Sequence, residues 1–132
     1  QVVEKIEMKQ STIDAIRDGM RRANNEDGGT AAAAFRGFPI ETGGKTGTAD
    51  FRDNQSDIGR APYATYVSFA PLHDPEIAFV GVVYDGGHGY YTASVARAVY
   101  EAYFKDRLPE GYTSESYQKY VVGAPADNKA SN

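Results

Sequence analysis

Glu41-Thr42-Gly43-Gly44-Lys45-Thr46-Gly47-Thr48-Ala49-Asp50-Phe51 packs three glycines into five residues, flanks the last with threonines and carries a single lysine. Threonine suits extended backbone, so the block predicts a strand over about residues 42–51. A glycine inside a strand gives up side-chain packing and marks a place where a ligand or another backbone comes close. Beside the bare positions stand two hydroxyls and the Lys45 ammonium, which suit a polar or anionic ligand. The N–H groups of such an edge can also pair with an extended peptide or hold an oxyanion. Gly44-Lys45-Thr46 spells the end of a phosphate-binding loop as well. That loop needs a glycine five residues before Gly44, where Pro39 stands, and a helix opening at the lysine, where the threonines predict a strand.

Downstream, alternation is clean. Tyr63, Thr65, Val67 and Phe69 face one way and Ala64, Tyr66, Ser68 and Ala70 the other, a strand over about 62–70. Pro71, Asp74 and Pro75 make a tight connection. Residues 76–84 form a third strand, apolar on both faces over 77–84, the pattern of a central strand covered on both sides. Asp85-Gly86-Gly87-His88-Gly89 breaks it, and helical period returns over about 91–106. There Tyr91, Val95, Ala98, Val99, Ala102 and Tyr103 form one apolar stripe, widened by Ala96, Tyr100 and Phe104. Pro109 and Gly111 stop the helix, and residues 109–132 read as a poorly ordered polar tail.

Upstream, residues 2–8 alternate weakly and read as a short strand. Ser11 offers an N-cap for a surface helix over about 11–24, with Ile13, Ile16, Met20 and Ala23 on one face. Asp14 and Asp18 stand at pairing distance from Arg17, Arg21 and Arg22 along it. The Ala-rich stretch 30–38 carries no clear period, and 52–60 is a polar loop that Arg52, Asp53, Asp57 and Arg60 solvate. The sum is an α+β fold: an antiparallel sheet with a terminal helix across one face. One amphipathic helix and a shorter one barely cover the strand at 77–84, so the expectation is a part of a larger fold.

Composition narrows the function. The 132 residues, 41% apolar and 24% charged, suffice for one domain at most. Fourteen basic against eighteen acidic residues give a net charge of −4 with no basic run, which disfavours nucleic acid as a partner. The apolar run at 77–84 is far short of a membrane span. The chain opens on Gln1 with no signal-peptide pattern, and a piece of a longer chain is expected. With no cysteine, disulfide frameworks, thiol catalysis and most zinc patterns are removed. His73 and His88 read as turn residues, so no metal and no cofactor is expected.

Lys45-Thr46-Gly47 on a strand is one of the motifs of the serine enzymes that handle penicillin. With Asn25-Glu26, Gly28-Gly29-Thr30-Ala31 and Gly44-Lys45-Thr46-Gly47-Thr48-Ala49 in order, the chain resembles the C-terminal part of the transpeptidase domain of class B penicillin-binding proteins. Phe69-Ala70-Pro71, the apolar strand and Gly86-Gly87-His88-Gly89 before the last helix are most similar to the cell-elongation branch. The resemblance implies the penicillin-binding protein/serine β-lactamase-like fold, with residues 1–108 as its C-terminal portion. It implies that Lys45 sits in the catalytic centre, and that Thr46 and Thr48 hydrogen-bond the carboxylate of a D-Ala-D-Ala stem peptide or of a β-lactam. Gly47 would let the substrate lie flat, and the Thr48 N–H would be an oxyanion donor.

The same resemblance implies a Ser-x-x-Lys nucleophile motif and a Ser-x-Asn motif ahead of Lys45. The 44 residues before Lys45 contain neither. Ser116-Tyr117-Gln118-Lys119 spells the first, but after Lys45 and in the polar tail. The expectation is a fragment of a peptidoglycan D,D-transpeptidase, inactive alone, whose partners are the N-terminal remainder of the same polypeptide, the peptidoglycan stem peptide and β-lactams. Self-association of the isolated piece is a further expectation. The resemblance puts the parent at the cell membrane, on its extracytoplasmic face, with the anchor outside this chain. The alternative is a non-catalytic, transpeptidase-like structural or ligand-sensing module.

Overall fold

A computed structural model describes residues 6–49 and 62–114. Helix α1 (Gln10–Asn25) and a single turn α2 (Ala32–Phe35) lead into β1 (Gly43–Ala49). Strands β2 (Tyr63–Ala70) and β3 (Ile77–Val83) follow, then α3 (Tyr90–Tyr103) and a 3₁₀ turn at Lys105–Arg107. The sheet is antiparallel in the order β1-β2-β3, with Lys45 opposite Val67 and Val67 opposite Val80.

The alternation in β2 decides where the core lies. Ala64, Tyr66, Ser68 and Ala70 are buried under the helices. Tyr66 and Ala70 meet Ala93, Ala96, Tyr100 and Phe104 of the C-terminal helical segment and Phe35 of α2. Two tyrosines sit in this core with their hydroxyls satisfied, as burial demands. Tyr66 Oη donates to Asn24 Oδ1 at 2.9 Å, and Tyr100 Oη shares a 2.6 Å bond with Ser68 Oγ.

Desolvation pushes the Tyr100 hydroxyl up to about 12, the Ser68 bond opposing it, and raises Tyr66 as well. An unfolded tyrosine ionises near pH 10, so above about pH 10 the unfolded chain gives up protons that the folded one keeps. Stability is therefore complete below that value and falls as pH rises through the folded value. The expected result is a urea midpoint that drops between about pH 10 and 12, with a shallower drop in Tyr100→Phe.

Several expectations need correcting. Among the described residues the third strand has β2 as its sole neighbour and Val80 is 71% exposed, so the cover expected on both sides is not supplied by the described chain. A run apolar on both faces reports that both faces suit burial, but not whether nearby chain supplies the cover. The face carrying Val67, Val80 and Val82 is bare among the described residues. In α3 the stripe of large residues lies outward, with Tyr91 61% exposed and Val95, Val99 and Tyr103 exposed too. The sheet takes the opposite stripe, Ala93, Ala96 and Tyr100, because small residues let the helix approach. A Cβ on Gly81 would lie 2.4 Å from Thr92 Cγ2, which shows how close that approach is.

Helix α1 is capped at Lys9 with no side-chain bond, not at Ser11, while Gln10 Nε2 donates to Asp14 Oδ1 at 2.8 Å. Ile16 is half exposed and Asn24 is the residue that α1 buries. Of the charge pairs expected there, Arg21 meets Asp18 at 3.1 Å, but its shorter contact is Glu26 at 2.5 Å, and Arg22 turns to Glu26 as well. Residues 6–9 form no strand, and 2–5 lie outside the described residues.

Behind α3 lies a buried ion pair that sequence does not announce. Arg97 Nε donates to Glu101 Oε1 at 2.8 Å, and its Nη1 donates to the carbonyls of Ala34 and Arg36 at 3.0 and 2.8 Å. Residues 109–114, assigned to the tail from sequence, fold back here: Tyr112 Oη donates to Glu101 Oε1 at 2.7 Å, and Ser114 Oγ bonds Glu101 Oε2.

Candidate functional site

Among the described residues strand β1 is an edge strand, and its pleat separates the expected site residues. Register puts Lys45 and Gly47 on the bare face with Val67 and Thr65, and Thr46 and Thr48 on the helix side with Tyr66 and Ala64. Lys45 is exposed and its Nζ donates to the Thr46 carbonyl at 2.5 Å. Thr46 Oγ1 donates to Thr30 Oγ1 at 2.9 Å, and Thr48 is exposed. Lys45 also lines a cleft of about 430 Å³ with Arg22, Glu26, Gly29 and Thr30, between the end of α1 and the strand. Hydrogen bonds from Arg21 and then Arg22 hold the Glu26 carboxyl below the usual carboxylate range, so this wall of the cleft is ionised near neutral pH.

The entry to β1 is pinned from α1. Asn24 Nδ2 donates to Thr42 Oγ1 at 2.9 Å, and Asn25 Nδ2 donates to the Thr42 carbonyl at 2.7 Å. Of these site-supporting residues, Asn25 and Thr30 belong to motifs that carry the family resemblance, but no bonding role was read for them, nor for Asn24 and Thr42. The signal was two adjacent asparagines at the end of a helix, side chains that bond backbone readily.

Packing within the chain accounts for much of the glycine pattern in β1. A Cβ on Gly43 would lie 2.6 Å from the Phe69 ring, and one on Gly44 would lie 2.3 Å from Tyr66 Oη. Both positions are occupied by neighbours from within the chain, not held open for a ligand. A Cβ on Gly47 would lie 2.2 Å from Thr65 Oγ1, a side-chain atom that a turn about the Thr65 Cα–Cβ bond can move aside, with its other neighbours at ordinary contact distance.

His88 stacks on Tyr90 with ring centroids 5.9 Å apart, and His73 lies 3.8 Å from Glu41, both exposed. Among the described residues no group of three or more His, Asp or Glu could hold a metal ion. Ser116 and the loop residues Arg52, Asp53, Asp57 and Arg60 lie outside the described residues.

Residues 1–105 match the penicillin binding protein transpeptidase domain. The chain belongs to this family. It is 35% identical over 114 residues to penicillin-binding protein 2A of Bacillus subtilis, covering 80% of this chain and 16% of that protein. It is 36% identical over 90 residues to the probable peptidoglycan D,D-transpeptidase PenA of Neisseria gonorrhoeae, covering 67% of this chain and 15% of PenA. The chain thus spans about a sixth of the length of these curated relatives.

Among solved structures, Pseudomonas aeruginosa PBP2 in complex with WCK 5153 superposes with a TM-score of 0.67 at 25% identity, over 88% of this chain and 24% of that one. PBP2 of Helicobacter pylori, in complex with MreC, gives a TM-score of 0.59 at 26% identity over 72% of this chain and 19% of that one. The three-stranded antiparallel sheet and its helices are thus a portion of a class B penicillin-binding protein transpeptidase domain, α+β in class.

Proposed function

We propose that this chain supplies the Lys-Thr-Gly half of a serine D,D-transpeptidase that cross-links peptidoglycan, and that it is inactive until joined by the half bearing the nucleophile. The observation that carries the reading is the edge strand itself: Lys45 is exposed at a cleft and the Thr46 hydroxyl is held by Thr30. In the assembled domain a serine from the N-terminal remainder attacks the carbonyl of a D-Ala-D-Ala stem peptide or a β-lactam. The Thr48 N–H takes the oxyanion, a contribution on the order of 3 kcal/mol for one such donor. Lys45 holds the proton network of the nucleophile and favours the substrate carboxylate electrostatically, while the Thr46 and Thr48 hydroxyls hydrogen-bond that carboxylate. From a stem peptide the amide bond breaks and D-Ala leaves with the serine's proton, the ester remains on the serine, and an acceptor amine or water resolves it. From a β-lactam the ring C–N bond breaks and its amine stays tethered to the acyl group.

The parent works at the outer face of the cell membrane, held by an anchor elsewhere; among the described residues no helix is long and apolar enough to cross a membrane. The Helicobacter pylori PBP2–MreC complex supports an elongation role with an MreC-type partner. The bare face with Val67, Val80 and Val82 and the open edge of β1 predict that the chain self-associates when alone. Sedimentation velocity over a concentration series should show a rising weight-average mass that the N-terminal half suppresses. A constant monomer would contradict it.

A non-catalytic, transpeptidase-like structural or ligand-sensing module is the second reading, its structural form favoured by the in-chain neighbours that meet the β1 glycines. Intact-mass detection of a fluorescent penicillin separates the two. Label on the N-terminal half only when both halves are mixed is the expected result. Label on this chain alone would move the nucleophile into it, with Ser116 the first candidate, and no label in a folded mixture would favour the sensing module.

A further inference from the structure

Gly89, the residue before α3, has φ −62° and ψ −17°, a conformation open to any amino acid. Backbone geometry therefore gives no reason for glycine, and close approach does. A Cβ on Gly89 would lie 2.4 Å from the Thr65 carbonyl oxygen, 2.6 Å from the Gly47 carbonyl oxygen and 3.0 Å from the Gly47 nitrogen. These are backbone atoms of two residues paired across the β1–β2 ladder, which cannot swing aside as the tip of a side chain would. Gly47 and Thr65 point their own substituents to the bare face, which leaves the pleat open on the α3 side, and Gly89 fills that opening. The loop is also fixed just ahead of β2, since the Gly87 N–H donates to the Pro62 carbonyl at 3.0 Å.

The Gly47 carbonyl and the Thr48 N–H belong to one planar peptide, so whatever orients the first orients the second. We propose that Gly89 is a positioning residue for the Lys-Thr-Gly strand: seated without a Cβ against Gly47, it sets the plane of the 47–48 peptide and so aims the Thr48 N–H. Its consequence for acylation rests on the transpeptidase reading; the seat itself does not. An added methyl at 89 tilts that peptide and misaims the donor while leaving the Thr46 and Thr48 hydroxyls to bind carboxylate.

The test compares Gly89→Ala with Gly86→Ala, which strains the same loop against Ala64 and Val83 instead of β1. In this chain joined to its N-terminal half, stopped-flow acylation by a fluorescent penicillin separates the binding constant from the first-order step. Gly89→Ala should slow that step by about 10²-fold with binding changed by no more than about threefold, since small misplacements cost that much. Gly86→Ala should leave the step within about threefold of the unsubstituted protein. Equal losses in both variants, or an unchanged step in Gly89→Ala, overturn the proposal.

Native-state hydrogen exchange on the unsubstituted chain judges the seat without acylation and without relying on a variant that has to fold. The Gly47 amide should open together with those of Thr92 and Ala93 as urea is raised. If it opens independently of them, the seat is refuted. A protein that never acylates but shows the shared opening would sink the transpeptidase reading and leave the seat standing.

Discussion

Lys45→Ala should lower β-lactam acylation of the assembled domain by about 10²–10⁴-fold, the range for a positioned group in proton transfer. Lys45 is exposed in this chain, on the bare face of the sheet, and its ammonium rests on the Thr46 carbonyl. Nothing in the described fold depends on that bond for packing, so the variant should unfold at the same urea concentration as the parent. Lys45→Arg keeps the charge but spreads it over a planar fork, and it should not restore the rate. The rate and the urea midpoint are both measured on the same protein. A rate loss matched by a loss of stability would make Lys45 a structural residue, and a rate within about threefold of the parent would remove it from the site.

The second large effect is on stability. Arg97→Met leaves Glu101 buried without its cation and strips the donors from the Ala34 and Arg36 carbonyls. Breaking one side of a buried pair costs about 3–5 kcal/mol. The urea midpoint should fall accordingly. In Arg97→Met with Glu101→Leu much of the loss should return, because the uncompensated carboxylate is gone. The return should be incomplete, since the two carbonyls and Tyr112 remain short of partners. A single substitution that costs under about 1 kcal/mol would mean that water reaches Glu101 when Arg97 is absent.

Period-two alternation made β2 legible, because one of its faces is buried and the other is not. The Lys-Thr-Gly-Thr block was legible as a strand through its threonines, which suit extended backbone, even though its glycines also fit a loop. The apolar surface that β3 and α3 leave exposed has a shared reason. Hydrophobicity reports the demand for cover, and both elements carry more apolar surface than the described chain can hide. In α3 two apolar stripes compete for the sheet. Ala96, Tyr100 and the neighbouring Phe104, which widened the expected stripe, are buried with Thr92 and Ala93, because Gly81 admits a closely seated helix. Tyr91, Val95, Val99 and Tyr103 stay exposed in the described chain.

The polar supports were illegible for another reason. Asn24 meets Thr42 and Tyr66 across 18 and 42 residues of chain, and Arg97 meets the Ala34 carbonyl across 63. No local pattern encodes partners so far apart. The β1 glycines show the opposite error, in which a pattern suited to a ligand is partly explained by Phe69, Tyr66 and Thr65.

The most direct measurement is a crystal structure of this chain joined to its N-terminal half and acylated with benzylpenicillin. The ester should lie on a serine of the N-terminal half, its carbonyl oxygen on the Thr48 N–H, and the antibiotic's carboxylate within hydrogen-bonding distance of the Thr46 and Thr48 hydroxyls. An adduct whose carboxylate and carbonyl both lie away from β1, with Lys45 facing solvent, would contradict it.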